Sequence, residues 1–298
     1  MKRVLLFVNA LKKDAGIIAA QIHEKLKDRN IEVVSFSPEN AAAPDISGTY
    51  DAAFTLGGDG TVLYAARAMA PLGVPIIPVN LGTLGFIAAV PPGDWALVLD
   101  KWTAGTADVS RRLMLEVKVD RRGETVKQGA CLNDAVISAS GISKLIRFQT
   151  LLEIQPARGF IRLGQFRADG LIAATPTGST AYSMAAGGPI LDPEMEALII
   201  NPVCPFTLSH RPLVLPVRDT VIIEVEKEQR SGVLLTIDGQ VTEPLEPGDR
   251  ILLRQAPYQA RLIFADRNAF YKALRTKLNW SGTYNGAAGG SAGGGAGA

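Results

Sequence analysis

Asp51-Ala-Ala-Phe-Thr-Leu-Gly-Gly-Asp-Gly-Thr61 is the stretch on which the reading of the fold turns. Its apolar run, Ala52 to Leu56, predicts a buried strand that breaks at Gly57-Gly58. Thr61 then opens a helix-like stretch carrying Val62, Leu63, Ala66 and Met69. Strand, glycine turn and helix start together set Asp59 at the carboxyl end of a strand, where open α/β sheets bind ligands. Gly58 and Gly60 let backbone N–H groups approach a phosphate, and the helix N-terminus adds partial positive charge. A carboxylate among such glycines repels the phosphate, so Asp59 needs another task. The natural one is to accept a proton from, or to orient, a hydroxyl that attacks the phosphate. The plainer alternative is a glycine turn with a solvated Asp59. The generic dinucleotide and P-loop fingerprints are both absent.

Outward from this stretch, strand and helix alternate. Residues 3–10 predict a first strand buried on both faces, and Asp14 is placed to cap a helix with Ile18, Ile22 and Leu26 on one side. His23 lies among charged residues on that helix and reads as a surface histidine. A second strand is expected over Ile31–Phe36, a loop over 41–50, a strand over Val74–Asn80 and a helix over Asp94–Lys101. This alternation predicts a parallel sheet with helices on its faces. Leu81-Gly-Thr-Leu-Gly-Phe86 forms a second glycine-rich turn after a strand, expected near Asp59.

After Thr103–Asp108 the apolar residues alternate, as in Leu113, Leu115, Val117 and Val119. Strands are expected at 129–139, 147–154, 171–175, 213–216, 220–226, 232–238, 250–254 and 260–265, so this part is mainly β. The chain thus divides into an α/β N-terminal domain (1–106) and a β-rich, layered or sandwich C-terminal domain (107–265). A helix over 266–281 packs back on the first domain, and a Gly/Ala-rich tail (282–298) reads as disordered.

With 298 residues, 47% hydrophobic and 20% charged, the composition is that of a soluble chain of one or two domains. The 31 basic and 29 acidic residues leave +2, which argues against a nucleic-acid surface. Cys131 and Cys204 stand far apart with no His at metal-site spacing, which excludes a disulfide scaffold and a Cys/His zinc site and suits the cytoplasm. Val4–Val8 is too short for a signal peptide or a membrane span.

Asn133-Asp134, at the end of an apolar segment, offers an amide and a carboxylate to a polar ligand, though a turn accounts for the pair equally well. Arg167-Ala-Asp169-Gly-Leu-Ile-Ala-Ala-Thr175-Pro-Thr-Gly-Ser-Thr180-Ala-Tyr182 is more informative. A strand runs into a cluster of small hydroxyls and then opens a short helix, Ala181 to Ala186. Hydroxyls and free N–H groups at a helix start recognise phosphates or purine edges, and Tyr182 offers a face for an adenine. The structural alternative is an N-cap and a core tyrosine. His210 belongs to no Ser-His-Asp arrangement, because no nucleophile-elbow glycines surround a serine. Gln240 follows Asp238-Gly239 and reads as a turn residue or a ligand contact.

Taken together, Gly57-Gly-Asp-Gly-Thr61, Asn133-Asp134, Asp169-Gly-Leu-Ile with Thr175 to Tyr182, Ala186-Gly-Gly-Pro189 and Arg211-Pro212 resemble the bacterial NAD kinases, over roughly residues 1–280. The first motif is shared with diacylglycerol and sphingosine kinases and, more loosely, phosphofructokinases; the second long one is characteristic of NAD kinases. The resemblance implies a two-domain fold with a final helix crossing back. It also implies transfer of the γ-phosphate of ATP to the 2′-hydroxyl of the adenosine ribose of NAD, with magnesium on the phosphates and Asp59 as proton acceptor. The implied NAD contacts are Asp59, Gly60, Asn133, Asp134 and the run Thr180, Ala181, Tyr182, Ser183, Met184 and Ala185. Gly58 and Thr177 lie within these motifs, and Lys144, Arg167, Asp169 and Gln240 match further contact positions. Phe86 matches a segment beside the nucleotide, where its ring would stack. Asp134 stands where many members carry Glu, and Phe206 where a histidine is often found. The family implies a homodimer or homotetramer whose sites are completed by a neighbouring subunit. The readings set against this one are a lipid kinase of the diacylglycerol kinase type and a non-catalytic NAD(P)-binding sensor. The first lacks a membrane-facing surface in the sequence, and the second has no need of Asp59.

Overall fold

Four strands of the N-terminal half, β1 (Arg3–Val8), β2 (Glu32–Phe36), β3 (Ala52–Gly57) and β4 (Ile76–Asn80), pair in parallel in the order β2-β1-β3-β4. The computed structural model from which this follows describes residues 2–37, 48–83, 85–141, 145–154, 159–207, 210–264 and 268–280. β3 and β4 are buried at every position, which is why their sequences are apolar rather than alternating. Three helices, α1 (Ala15–Lys27), α2 (Asp59–Met69) and α3 (Trp95–Thr103), accompany the sheet. α1 buries Ile18, Ile22 and Leu26, as their spacing predicts. Asp14 takes the N-cap position of α1 without a side-chain capping bond: its backbone is already helical, so the side chain cannot reach back as an extended N-cap does. α2 begins at Asp59 itself, two residues before the expected Thr61, with Gly58 extended at its N-cap.

The later strands are β5 (Asp108–Arg121), β6 (Glu124–Cys131), β7 (Asp134–Ala139), β8 (Ile146–Glu153), β9 (Phe160–Ala168) and β10 (Gly170–Ala174). They continue with β11 (Ala197–Val203), β12 (Leu213–Pro216), β13 (Thr220–Val225), β14 (Val233–Ile237), β15 (Val241–Leu245) and β16 (Arg250–Phe264). A short α4 (Tyr182–Ala185) and the final α5 (Ala269–Leu278) complete the described elements. The single strand expected over 129–139 is two, β6 and β7, which part at Leu132-Asn133 and join different sheets; apolar residues on both sides hide the break. Conversely, 250–254 and 260–265 are one strand, β16, whose pairing with β5 shifts register between Gln255 and Gln259. β11 and β15 escaped the sequence reading because Pro202 and Pro244 weaken the strand signal. β9 escaped it because its first residues are exposed at a sheet edge.

β16 carries the parallel sheet into the second half: Leu262 pairs with Ile76, and the full order is β2-β1-β3-β4-β16-β13-β8-β9, with β5 on β16 and β6 on β5. A six-stranded antiparallel sheet, β12-β11-β10-β7-β14-β15, lies against it. Leu115, Val117, Phe148, Ile223 and Leu253 of the large sheet share a core with Ile137, Leu171 and Leu235 of the small one. The architecture is therefore an α/β N-terminal region joined to a β-rich sandwich. α5 buries Phe270 and Ala273 against Phe86 of the first half and Ile190 of the second. The tail expected to be disordered, 282–298, lies outside the described residues, as do Lys144 and Leu84.

Candidate active site

In the order β2-β1-β3-β4 the chain turns away from β1 on both sides, so a crevice opens at the carboxyl ends of β1 and β3. Asp59 leaves β3 at that point. Its Oδ2 accepts the N–H of Phe86 at 3.1 Å, and its Oδ1 those of Ile87 at 3.3 Å and Ala88 at 2.8 Å. The turn after β4 therefore does lie at Asp59. Asn80 shapes that turn: its Nδ2 donates to the carbonyls of Thr83 and Ala88, both at 2.9 Å, and its Oδ1 accepts from Gly82 N at 2.8 Å. Only glycine fits at 85, since a Cβ there would stand 1.9 Å from Asp59 Oδ1. A carboxylate has about four lone-pair positions, so three N–H donors leave about one for a ligand hydroxyl. The ring of Phe86 is buried beside Phe270, centroids 6.1 Å apart, with Lys277 Nζ 4.9 Å above it; its backbone, not its ring, meets Asp59.

The second part of the site forms where β6 crosses to β7. Asn133 and Asp134 are both buried, and Asn133 Oδ1 has no hydrogen-bond partner among the described residues. Burial first, and the neighbouring Asp238 second, push the Asp134 carboxyl up to about 7. The Thr175 turn is knitted onto this segment. Thr175 N donates to Asn133 O at 2.8 Å and Thr175 Oγ1 to Leu132 O at 2.5 Å. Gly178 packs so tightly that a Cβ would stand 2.1 Å from Asn133 O. Most of the hydroxyl cluster is satisfied internally. Ser179 Oγ donates to Pro176 O at 2.7 Å and accepts from Leu191 N at 3.0 Å, and Thr180 Oγ1 donates to Thr177 O at 3.2 Å. Thr177 Oγ1 differs: it is buried with no partner among the described residues. Asn133 Oδ1 and Thr177 Oγ1 are thus two buried polar atoms on adjoining segments without a partner among the described residues; Ser37 Oγ, Thr55 Oγ1, Thr150 Oγ1 and Arg250 Nε are others elsewhere. Beyond them Tyr182 is 48% exposed, Ala181 and Met184 are half-buried, Ala185 is exposed, and Ser183 is buried with its carbonyl accepting from Asn201 Nδ2 at 3.0 Å.

Gln240 joins the two parts, its Nε2 donating to Gly60 O at 2.8 Å. Arg167 and Asp169 are not brought to the same place. Ala174 pairs with Asp134 and Gly170 with Ser138, so Asp169 lies at the opposite end of the β7–β10 pair, roughly 17 Å along the strands. Both are exposed, and the Arg167 guanidinium lies 5.1 Å from the ring centre of Phe206. Asn80, Arg67 and Asp238 organise the site and were not singled out from sequence. An Asn closing a buried strand before Leu-Gly is the signal that could have found Asn80, and the Asp-Gly turn ahead of Gln240 the one that could have found Asp238; nothing local singles out Arg67. Among the described residues no three His, Cys, Asp or Glu side chains converge on a metal position, and no helix is long and apolar enough to cross a membrane.

A parallel-sheet crevice with a glycine turn and a held carboxylate, linked through Gln240 to the β7 side of the molecule, is the kind of architecture in which open α/β sheets hold nucleotides. The comparisons with known proteins carry this further. The ATP-NAD kinase N-terminal domain model matches residues 20–107, and the ATP-NAD kinase C-terminal domain model matches residues 132–265. An NAD kinase from Treponema denticola is 39% identical over 284 residues, covering 95% of this chain and 98% of that protein. One from Koribacter versatilis is 39% identical over 289 residues, covering 94% and 99%. Among solved structures, yeast NADH kinase complexed with NADH superposes with a TM-score of 0.83 at 21% identity, covering 96% of this chain and 90% of that one. An NAD kinase from Archaeoglobus fulgidus in complex with ATP gives 0.72 at 24% identity, covering 94% and 99%; these two likenesses establish the fold. The chain belongs to the NAD kinase family.

Proposed function

We propose that the protein transfers the γ-phosphate of ATP to the 2′-hydroxyl of the adenosine ribose of NAD, giving NADP and ADP. The observation that carries this reading is Asp59, a carboxylate fixed by three backbone N–H groups at the carboxyl end of a strand, with an acceptor position left for a hydroxyl. In the reaction the ribose oxygen attacks the γ-phosphorus, the bond to the ADP oxygen breaks, and the hydroxyl proton passes to Asp59. A sugar hydroxyl is a far weaker acid than a carboxylic acid, so Asp59 does not ionise it beforehand. Proton transfer comes late, and alignment supplies much of the rate. The divalent cation enters with ATP and offsets the charge of its phosphates.

Asn133, Asp134 and Thr177 serve the hydroxyls and amides of NAD, supported by the two orphaned atoms, while Thr180 to Ala185 form the neighbouring wall with Tyr182 open to a base. Gly58 and Gly60 border the phosphates. Residues 1–106 act as the nucleotide half and 107–265 as the NAD half, with 266–281 crossing back. Arg167 and Asp169, together with Lys144, serve the site of a second copy in a homo-oligomer. The place of Asp169 at the far end of β7–β10, with Arg167 two residues before it, supports that assignment. Two free cysteines suit a reducing compartment, and we place the reaction in the cytoplasm. The test is direct: incubation with NAD, ATP and magnesium yields NADP, and no NADP in the presence of demonstrable NAD binding overturns the assignment.

A further inference from the structure

Arg67 lies on α2, and roughly two turns separate it from Gly60, so the two share a helix face. Its side chain leans back toward the helix N-terminus. From there Nη1 donates to Asp238 Oδ2 at 3.1 Å, and Nη2 donates to Gln240 Oε1. Gln240 in turn donates to the carbonyl of Gly60, closing a ring of contacts between α2 and the Asp238-Gly239-Gln240 turn. The Asp238 carboxylate also reaches the other way. Its Oδ2 accepts from Leu132 N at 3.1 Å, and its Oδ1 from Asn133 N at 2.8 Å and Asp134 N at 3.3 Å. One buried carboxylate therefore holds the backbone of the Asn133–Asp134 segment and, through Arg67, the helix that Asp59 begins. Asp238 adopts a left-handed backbone (φ +51°), which Asp tolerates better than most residues and which its side-chain bonds offset.

Burial pushes the Asp238 carboxyl up, while the N–H groups of Asn133 and Leu132 and the Arg67 guanidinium pull it down. Arg67 thus helps to keep the buried group charged and able to accept those N–H bonds. A buried pair of this kind is weak evidence for stability, since apolar residues of similar size often serve as well. Its position between the two functional segments points to another task.

We propose that Arg67 and Asp238 are positioning residues of the reaction, setting the Asn133–Asp134 segment against the helix that begins with Asp59 so that NAD held by one meets the carboxylate of the other. The inference rests on the kinase reading, and neither side chain need touch a substrate.

Arg67→Lys keeps a cation beside Asp238, and with it the fold, but a single ammonium cannot span both Asp238 and Gln240. It is expected to melt like the parent, to leave KM for ATP unchanged, and to lower kcat about 10- to 100-fold. The backbone amides of 132–134 should exchange faster with deuterium. Arg67→Met leaves a buried charge unpaired and is expected to lower the melting temperature; the double variant Arg67→Met/Asp238→Asn removes both charges and should regain part of it without regaining turnover. If the pair serves stability alone, turnover follows the melting temperature across the set, and Arg67→Lys turns over like the parent with parental exchange at 132–134. That result overturns the proposal. If the parent itself makes no NADP, the kinase reading fails, and the amide exchange still decides whether the pair holds the segment.

Discussion

At Asp59 three backbone N–H groups converge on one carboxylate, and Gly85 is what lets them reach it, because any side chain there would displace the oxygen. Asp134 is shaped by a different force. Its carboxyl, ordinarily near 3.8, is raised to about 7 by burial and by Asp238, with Arg67 and Cys131 in the same cluster. Between those two values the folded protein keeps a proton that the unfolded chain has lost. Stability contributed by this group is therefore full at acid pH and falls as pH rises from about 4 to about 7. Asp134→Asn should remove that part of the slope, on the order of a few kcal/mol across the window, read from urea midpoints against pH. An unchanged slope would place Asp134 in a wetter, less repulsive setting. At this scale the sequence showed the residues that stand in motifs, Asp59, Asn133 and Asp134. It did not show Asp238 or Arg67, because their roles depend on a carboxylate reaching a backbone more than a hundred residues away.

Among elements, β16 does most to join the molecule. It runs along β5 through the sandwich and ends beside β4, where Leu262 pairs with Ile76. Leu262 is fully buried, so Leu262→Ala should destabilise by about 2–5 kcal/mol. Because both halves share that strand, loss of sheet by far-UV circular dichroism and loss of packing around Trp95 and Trp102 by fluorescence should follow one urea transition. Two separated transitions would contradict coupling of the halves through β16. The parallel βαβ part was legible because its strands are buried on both faces and its helices are amphipathic. The sandwich was less so. Periodicity is local, and nothing local tells β6 from β7 at Leu132-Asn133 or joins 250–254 to 260–265 across a register shift.

For the whole molecule, the proposed sharing of sites between copies rests on the separation of Asp169 from Asn133–Asp134 along the strands. In a dimer with two such sites, an Asp59→Asn chain paired with an Asp169→Asn chain has one intact site. Mixing two inactive variants under dissociating and then reassociating conditions should recover about a quarter of the parental turnover. No recovery would return Asp169 to a structural role. The α/β region followed by a β-rich sandwich was visible in the change of periodicity after Thr103–Asp108, and the strand-to-glycine turn that ends at Asp59 was visible in its motif. The pairing order of the strands was not, because it depends on contacts between distant segments. The central claim is that Asp59 takes part in moving phosphate onto the ribose rather than merely holding the 86–88 turn. NADP formation from NAD and ATP by Asp59→Asn, with NAD affinity measured alongside, tests it most directly. The account predicts that the variant folds and binds NAD yet loses most of its turnover, about 100-fold or more; a folded variant that makes NADP at the parental rate would contradict it.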